Sequence, residues 1–362
     1  MLFAVSYLVW AFLPLLRVNA CSRVTYHAVT DDRITIGRSM DFVASTNSSI
    51  YIFPAGLERN GSVDANPLEW TSKYGSIVTT MYDSVTIDGM NSAGLTGSIL
   101  YLGPSDYGAR NTSRPGLAIG IWLQYYLDTY DTVASAVADL ETLNLQVVTA
   151  PLVPGVSSVG HISLSDKSGD NLIIEYKNGQ LVTHHGAEYQ VMTNDPFYDE
   201  QLAIWEYWQP MTNYSLPGTG SPAGIYETDH FRHTLKLSLF LDRFVRLAYY
   251  NQMSPESPDL MTSVATTAAM IRAVSVPFVP ESLINKELDV WPTLWRVYYD
   301  TKDMVMWYES AVTPIAIYMD FGDYNLSNNG TVQRLGLAET SWENLYGDMK
   351  GKFADAKVFK PI

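Results

Sequence analysis

Cys21-Ser22-Arg23-Val24-Thr25-Tyr26-His27-Ala28-Val29-Thr30-Asp31-Asp32-Arg33-Ile34-Thr35-Ile36-Gly37-Arg38-Ser39-Met40-Asp41-Phe42 is the stretch from which the rest of the chain is best read. Val24, Tyr26 and Ala28 alternate with polar neighbours, Asp31-Asp32 makes a turn, and Ile34 and Ile36 alternate again. Side chains along a strand point to opposite faces with period two, so each half reads as a half-buried strand and the whole as a β-hairpin. Such a hairpin returns Arg38 and Asp41, at the end of its second strand, to the side of Cys21 at the start of its first. Cys21 is the only cysteine in the chain, so intramolecular disulfides and thiolate metal cages are excluded.

Upstream of Cys21, Leu2 to Leu16 form an apolar run with no charge, followed by Arg17-Val18-Asn19-Ala20. Val18 and Ala20, three and one residues before Cys21, suit a signal peptidase groove. Residues 1–20 are therefore expected to be a signal peptide cut at Ala20–Cys21. The run is shorter than the roughly 20 apolar residues of a spanning helix. Two other readings stay open at this point: an uncleaved anchor, and a bacterial lipobox in which Cys21 carries lipid. Cleavage would leave Cys21 first, with a thiol and an α-amine together. Residues 21–362 are then expected to be a single catalytic domain, secreted to an extracellular or periplasmic space and off the membrane after processing.

Downstream, residues 78 to 102 read as further strands, broken at Asp88-Gly89 and Ala93-Gly94. A helix from about Leu117 to Leu127 turns Trp122, Tyr126 and Leu127 inward, and a second is capped by Asp131 or Thr132, with Val133, Val137 and Leu140 on one face. From His161 the pattern is strand-rich, with Asp166-Lys167-Ser168-Gly169 as one turn and Asn178-Gly179 as a type I′ turn signal. Helices follow at roughly 197–209, 229–252 and 260–273. A second antiparallel group spans 292–320 and turns at Asp300 to Asp303, and the polar tail after Asn325 reads as ending in a short amphipathic helix. Strands, helices and strands joined by short hairpins indicate an α+β architecture in which helices cover antiparallel sheets.

The whole-chain balance agrees with a globular protein. Of 362 residues, 47% are apolar and 17% charged, with 23 Lys+Arg against 38 Asp+Glu and a net charge of −15. This excludes disorder, collagen and coiled coil. No basic surface is concentrated anywhere, which argues against a nucleic-acid partner.

An N-terminal cysteine carries its own base. The α-amine titrates near 7.7–8.0 and the thiol near 8.5, so the amine can take the thiol proton as the sulfur attacks a carbonyl. Arg38 would favour the thiolate, and Asp41 could orient the amine. On spacing alone this reading stands level with a free thiol beside an ordinary Arg38–Asp41 pair.

Cys21-Ser22-Arg23 and Ile34 to Phe42 resemble the opening of the choloylglycine hydrolase family, N-terminal-nucleophile hydrolases that include penicillin V acylases and bile salt hydrolases. The resemblance continues in order through Asp88-Gly89-Met90-Asn91-Ser92-Ala93-Gly94-Leu95, Val191 to Pro196, Leu216-Pro217-Gly218-Thr219, Asp242-Arg243-Phe244-Val245-Arg246, Val274 to Pro277 and Thr293-Leu294-Trp295. It implies a four-layer αββα sandwich of two antiparallel sheets, commonly a homotetramer, with no cofactor and no metal. Position by position, it implies Cys21 as nucleophile, Arg38 and Asp41 flanking it, Asn194 as the oxyanion-hole side chain, Tyr101 completing the hole by side chain or backbone N–H, and Arg243 as the second active-site arginine. One departure stands out: Gly220 to Leu241, 22 residues, replace what is usually a short link, reading equally as a lid, a helix extension or a wrong gene model. It makes Arg246 the fallback for Arg243.

The implied substrate is a small-molecule acyl amide such as phenoxyacetyl penicillin, a conjugated bile salt or an N-acyl homoserine lactone. A fatty-acid amide or ceramide amidase of the same superfamily and an inactive secreted binding protein are the competing readings. Other chemistries find little support: His184-His185 fall on opposite faces of a strand, His230-x-x-His233 lacks matched ligands, and no Gly-x-Ser-x-Gly elbow exists. Asn47, Asn60, Asn111, Asn213, Asn325 and Asn329 stand in glycosylation sequons.

Overall fold

A computed structural model describes residues 21–140, 142–151, 158–211, 238–278, 291–313 and 315–361. The expected signal peptide, the sequon at Asn213, His230 and His233 lie outside the described residues, as does most of the 220–241 segment.

Strand β1 (Ser22–Ala28) and strand β2 (Arg33–Asp41) form the expected hairpin, with Ser22 opposite Ser39 and Arg23 opposite Arg38. They sit inside a seven-stranded sheet. Val191–Thr193 flanks β1, and Thr293–Asp300, Val305–Ser310 and Ile317–Asp320 continue antiparallel beyond β2, ending in a parallel pairing to Gly347–Asp348. Among the described residues the second sheet has nine antiparallel strands, with the hairpins Ser76–Met81/Val85–Asn91 and His161–Ser165/Asn171–Lys177 near its centre.

Helices cover both outer faces. Helix α1 (Ile119–Thr129) packs on the nine-stranded sheet and α2 (Val133–Leu140) reaches its strand Asn171–Lys177, while α3 (Tyr198–Trp208) packs on α4 (Ser238–Met253). Helices α4 and α5 (Leu260–Ala273) cover the seven-stranded sheet. The architecture is thus the expected αββα sandwich. Thr132 caps α2 by accepting the Ser135 N–H at 3.1 Å, and Asp259 caps α5 by accepting the Thr262 N–H at 2.8 Å.

Four layers change what alternation means at the hairpin. All nine residues of β2 are buried, because one face meets the other sheet and the other meets α5. The polar positions that looked solvent-facing are interior ones. Arg23 crosses to the second sheet and donates to the hydroxyls of Ser98 (3.1 Å), Ser163 (2.8 Å), Ser165 (3.0 Å) and Thr96 (3.2 Å), which satisfy a buried guanidinium. On the opposite face Thr35 shares a 2.6 Å hydrogen bond with Thr267 of α5. Gly37 is what lets α5 lie so close, since a Cβ there would stand 2.7 Å from both Ile271 Cγ1 and Thr267 Cγ2.

Two expectations need correction. Asp88-Gly89 is not a break: strand Val85–Asn91 runs straight through it, and the turn comes earlier, where Tyr82 and Asp83 have φ of +56° and +47°. Gly89 is there for space, because its Cβ would come within 2.6 Å of Val78 Cγ1 and 3.0 Å of Leu127 Cδ1 on α1. The tail has no terminal helix among the described residues. Gln333–Gly336 instead pairs with Ser49–Phe53 and extends the nine-stranded sheet, and Ala354–Asp355 forms its edge. By contrast, Asn178-Gly179 adopts the positive φ of +53° and +73° that a type I′ turn requires.

Candidate active site

Cys21 lies immediately before β1, and the hairpin register sets Met40 opposite it. Residues 21, 23, 38 and 40 therefore share the face that meets the second sheet. The Cys21 Sγ is 3.6 Å from Arg38 Nη2, 3.7 Å from Met40 Sδ and 3.8 Å from the Asp41 carbonyl. Arg38 is held from several sides: its Nη2 donates to Met40 Sδ at 3.0 Å, its Cζ lies 4.5 Å over the Trp295 ring, and its Nε is 3.8 Å from the Asp88 carboxylate.

Asp41, three residues from Arg38, points to the helix-covered face. Its Oδ2 receives the Arg243 Nη1 at 2.5 Å and its Oδ1 the Thr293 hydroxyl at 2.6 Å. Both members of this ion pair are buried. Of the two arginines on α4, Arg243 is therefore the one that reaches the site, whereas Arg246 donates to the Ala273 carbonyl at the end of α5. The departure at 220–241 therefore does not call for the Arg246 alternative, since Arg243 meets Asp41 directly.

Burial pushes the Cys21 thiol above its ordinary value, opposed chiefly by the Arg38 charge. It likewise lifts Asp41, opposed chiefly by Arg243. With a raised pKa the thiol keeps its proton near neutral pH, so attack on a carbonyl needs a base beside it. No histidine lines the cleft among the described residues.

Asn194 follows the edge strand Val191–Thr193 and is fully buried. Its Nδ2 donates to the Tyr101 carbonyl at 2.5 Å. A carbonyl can only accept, so this contact fixes which side-chain atom is the nitrogen and leaves the second amide hydrogen for another acceptor. Tyr101 is half-buried, its ring 6.4 Å from Trp291. The sequence paired Tyr101 with Asn194 as joint donors; here Tyr101 anchors Asn194 through its carbonyl. Gly103 N–H donates to Asp195 Oδ1 at 2.7 Å and ties the same two loops together a second time.

Cys21, Arg38, Asp41, Tyr101 and Asn194 line one cleft with a cavity volume of about 100 Å³, and Arg243 stands behind Asp41. Apart from Ser158, its remaining wall is apolar, with Phe42, Met81, Val85, Ile87 and Ile119 in it and Trp291 set edge-on to Phe42 at 5.0 Å. All six residues singled out from the sequence thus converge. Thr293 and Trp295 stood in a quoted motif without a role; the structure puts one on Asp41 and the other on Arg38. His184 packs between Tyr189 and Tyr198 while His185 pairs with Asp170 at 2.8 Å, so the two histidines are separated as expected.

The sequence profile of the linear amide C–N hydrolases, choloylglycine hydrolase family, matches residues 21–332. A penicillin V acylase of Pectobacterium atrosepticum is 34% identical over 365 aligned residues, covering 94% of this chain and 92% of that protein. The structure of a penicillin V acylase from Agrobacterium tumefaciens superposes with a TM-score of 0.79 at 36% identity, covering 94% of this chain and 99% of that one. A variant of the conjugated bile acid hydrolase from Clostridium perfringens shares the fold, with a TM-score of 0.69 at 19% identity over 88% of this chain and 98% of that one.

Proposed function

The chain belongs to the choloylglycine hydrolase family of linear amide C–N hydrolases, and from that premise we propose that Cys21, exposed as the N-terminal residue, cleaves the amide of a small N-acylated molecule. The observation that carries this reading is that Cys21, Arg38 and Asn194 line one largely apolar cleft. Removal of residues 1–20 converts the Cys21 nitrogen from an amide, which has no basicity, into an amine that can accept a proton. The thiol passes its proton to that amine, directly or through one water, as sulfur bonds to the substrate carbonyl carbon. The free Asn194 amide hydrogen stabilises the oxyanion, an effect of about 2.7–4 kcal/mol per donor. Collapse expels the leaving amine, which takes the proton, and water then hydrolyses the thioester. Arg38 biases the sulfur toward thiolate, and Asp41, clamped by Arg243 and Thr293, holds the amine in line.

A raised thiol pKa and the absence of a histidine among the described cleft residues support the α-amine as base. The small apolar wall supports an acyl group with one compact apolar unit, such as phenoxyacetyl, ahead of a steroid. Export with signal-peptide removal, assembly as a homotetramer and glycosylation belong to the same reading; the sequon residues Asn47, Asn60, Asn111, Asn325 and Asn329 are all exposed, as glycan acceptors must be.

The test is turnover of phenoxyacetyl, bile-salt and acyl-lactone amides by processed protein beside Cys21→Ser. Hydrolysis of at least one amide that Cys21→Ser loses is expected. Equal activity in both, or none in either, overturns the assignment.

A further inference from the structure

We infer that Gln201 is a positioning residue for hydrolysis, holding Asn194 where its amide can reach the oxyanion. The inference rests on the role proposed above for Asn194. Gln201 lies on α3, is 1% exposed, and spends its whole side chain on the segment that carries Asn194. Its Oε1 accepts from the Thr193 N–H at 3.2 Å and the Thr193 hydroxyl at 3.1 Å. Its Nε2 donates to the Asn194 carbonyl at 2.6 Å and the Pro196 carbonyl at 2.7 Å. Two donors face one end and two acceptors the other, so the amide orientation is fixed and all four contacts are made.

The location explains why a buried glutamine is needed. Among the described residues Val191–Thr193 is an edge strand: β1 pairs with it on one side and no strand pairs on the other. Its outward backbone groups, and the carbonyls beyond it, would otherwise be buried without partners. Helix α3 supplies them through one side chain. The helix is itself anchored, because the Tyr198 N–H donates to both oxygens of buried Glu175 at 3.1 Å, and His161 Nδ1 sits 2.9 Å from the same carboxyl. Asn194 is thus fixed from the α3 side at its main chain and from the Tyr101 side at its amide. A shift of about 1 Å at a catalytic donor can cost on the order of 100-fold in rate, so this clamp governs turnover and not only folding.

The test compares wild type, Gln201→Met, Asn194→Ala and the double variant in processed enzyme. Active sites are counted by iodoacetamide alkylation of Cys21. Gln201→Met is expected to keep the alkylation rate and KM within about twofold and to lose about tenfold or more in kcat per reactive site, because oxyanion donors act on the transition state. In the Asn194→Ala background the same substitution should add little, since coupled residues are not additive. If Asn194→Ala lowers kcat but Gln201→Met leaves it unchanged, or if the two losses simply add, the inference is overturned while the proposed function stands. If Asn194→Ala itself leaves kcat unchanged, the role proposed for Asn194 fails first. Where Gln201→Met does not fold, Gln201→Glu carries the same comparison, because it keeps the acceptor for Thr193 and sets a carboxyl oxygen in place of the nitrogen that donates to the Asn194 and Pro196 carbonyls.

Discussion

Replacing Asp41 by Asn isolates the charge at the back of the site. The side chain keeps its shape and can still accept from Thr293, but the carboxylate 2.5 Å from the Arg243 Nη1 is gone. Arg243 is 4% exposed, and stripping the anion from a buried pair costs about 3–5 kcal/mol. Over 362 residues a melting entropy near 2.1 cal/mol/K per residue amounts to roughly 0.8 kcal/mol/K, so Asp41→Asn should lower the melting temperature by about 4–7 °C. High salt should change this little, since the pair is shielded from solvent ions. Calorimetry on Asp41→Asn, Arg243→Met and the double variant checks it, and the double variant should be more stable than the sum of the single losses implies. A shift below about 1 °C for Asp41→Asn, or strict additivity, would refute the claim that these two side chains form one buried unit.

Other consequences follow from the same geometry. In unprocessed chain, alkylation of Cys21 should keep accelerating above pH 9, because burial raises the thiol above its ordinary value and so moves the thiolate to higher pH; a plateau below pH 8 contradicts this. Arg243→Ala should abolish most activity in a steady-state assay while Arg246→Ala, which donates to the Ala273 carbonyl at the end of α5 and not to Asp41, stays within about 0.5 kcal/mol of wild type in kcat/KM. Gly37→Ala should cost about 1–3 kcal/mol by denaturant titration, because its Cβ would stand 2.7 Å from Ile271 and Thr267; an unchanged midpoint would mean that α5 yields freely.

Much of this fold was legible because hairpins are local. The register that brings Arg38 beside Cys21 follows from alternation and one turn, and the type I′ turn at Asn178-Gly179 from two residues that tolerate positive φ. The misreadings have a common cause. Gly89 looks like punctuation, but it marks a close approach by Val78 on the paired strand and by Leu127 on α1, and local propensity carries no information about such contacts. Arg23 and Thr35 look solvent-facing because period two tells one face from the other without saying whether a second layer covers it. The tail strand Gln333–Gly336 pairs with Ser49–Phe53 near the other end of the chain, a contact that no short window contains.

At the site, five of the six residues came from ordered motifs and Tyr101 from its place between two of them, and the structure brings all six together. What the motifs did not carry was the support around them: the Thr293 hydroxyl on Asp41, the Trp295 ring under Arg38, and Gln201 behind Asn194. Gln201 sits in a helix of weak amphipathic pattern, between Glu200 and Leu202, with nothing in its neighbours to mark it. Its significance is a matter of what its ends touch.

The most direct measurement is mass spectrometry of catalytically active protein quenched during turnover of a slow acyl amide. The expected result is an N-terminal peptide that begins at Cys21 and carries the acyl group as a thioester on that residue. Active protein whose chain begins upstream of Cys21, or an acyl adduct on any other residue, would contradict the assignment of Cys21 as an N-terminal nucleophile.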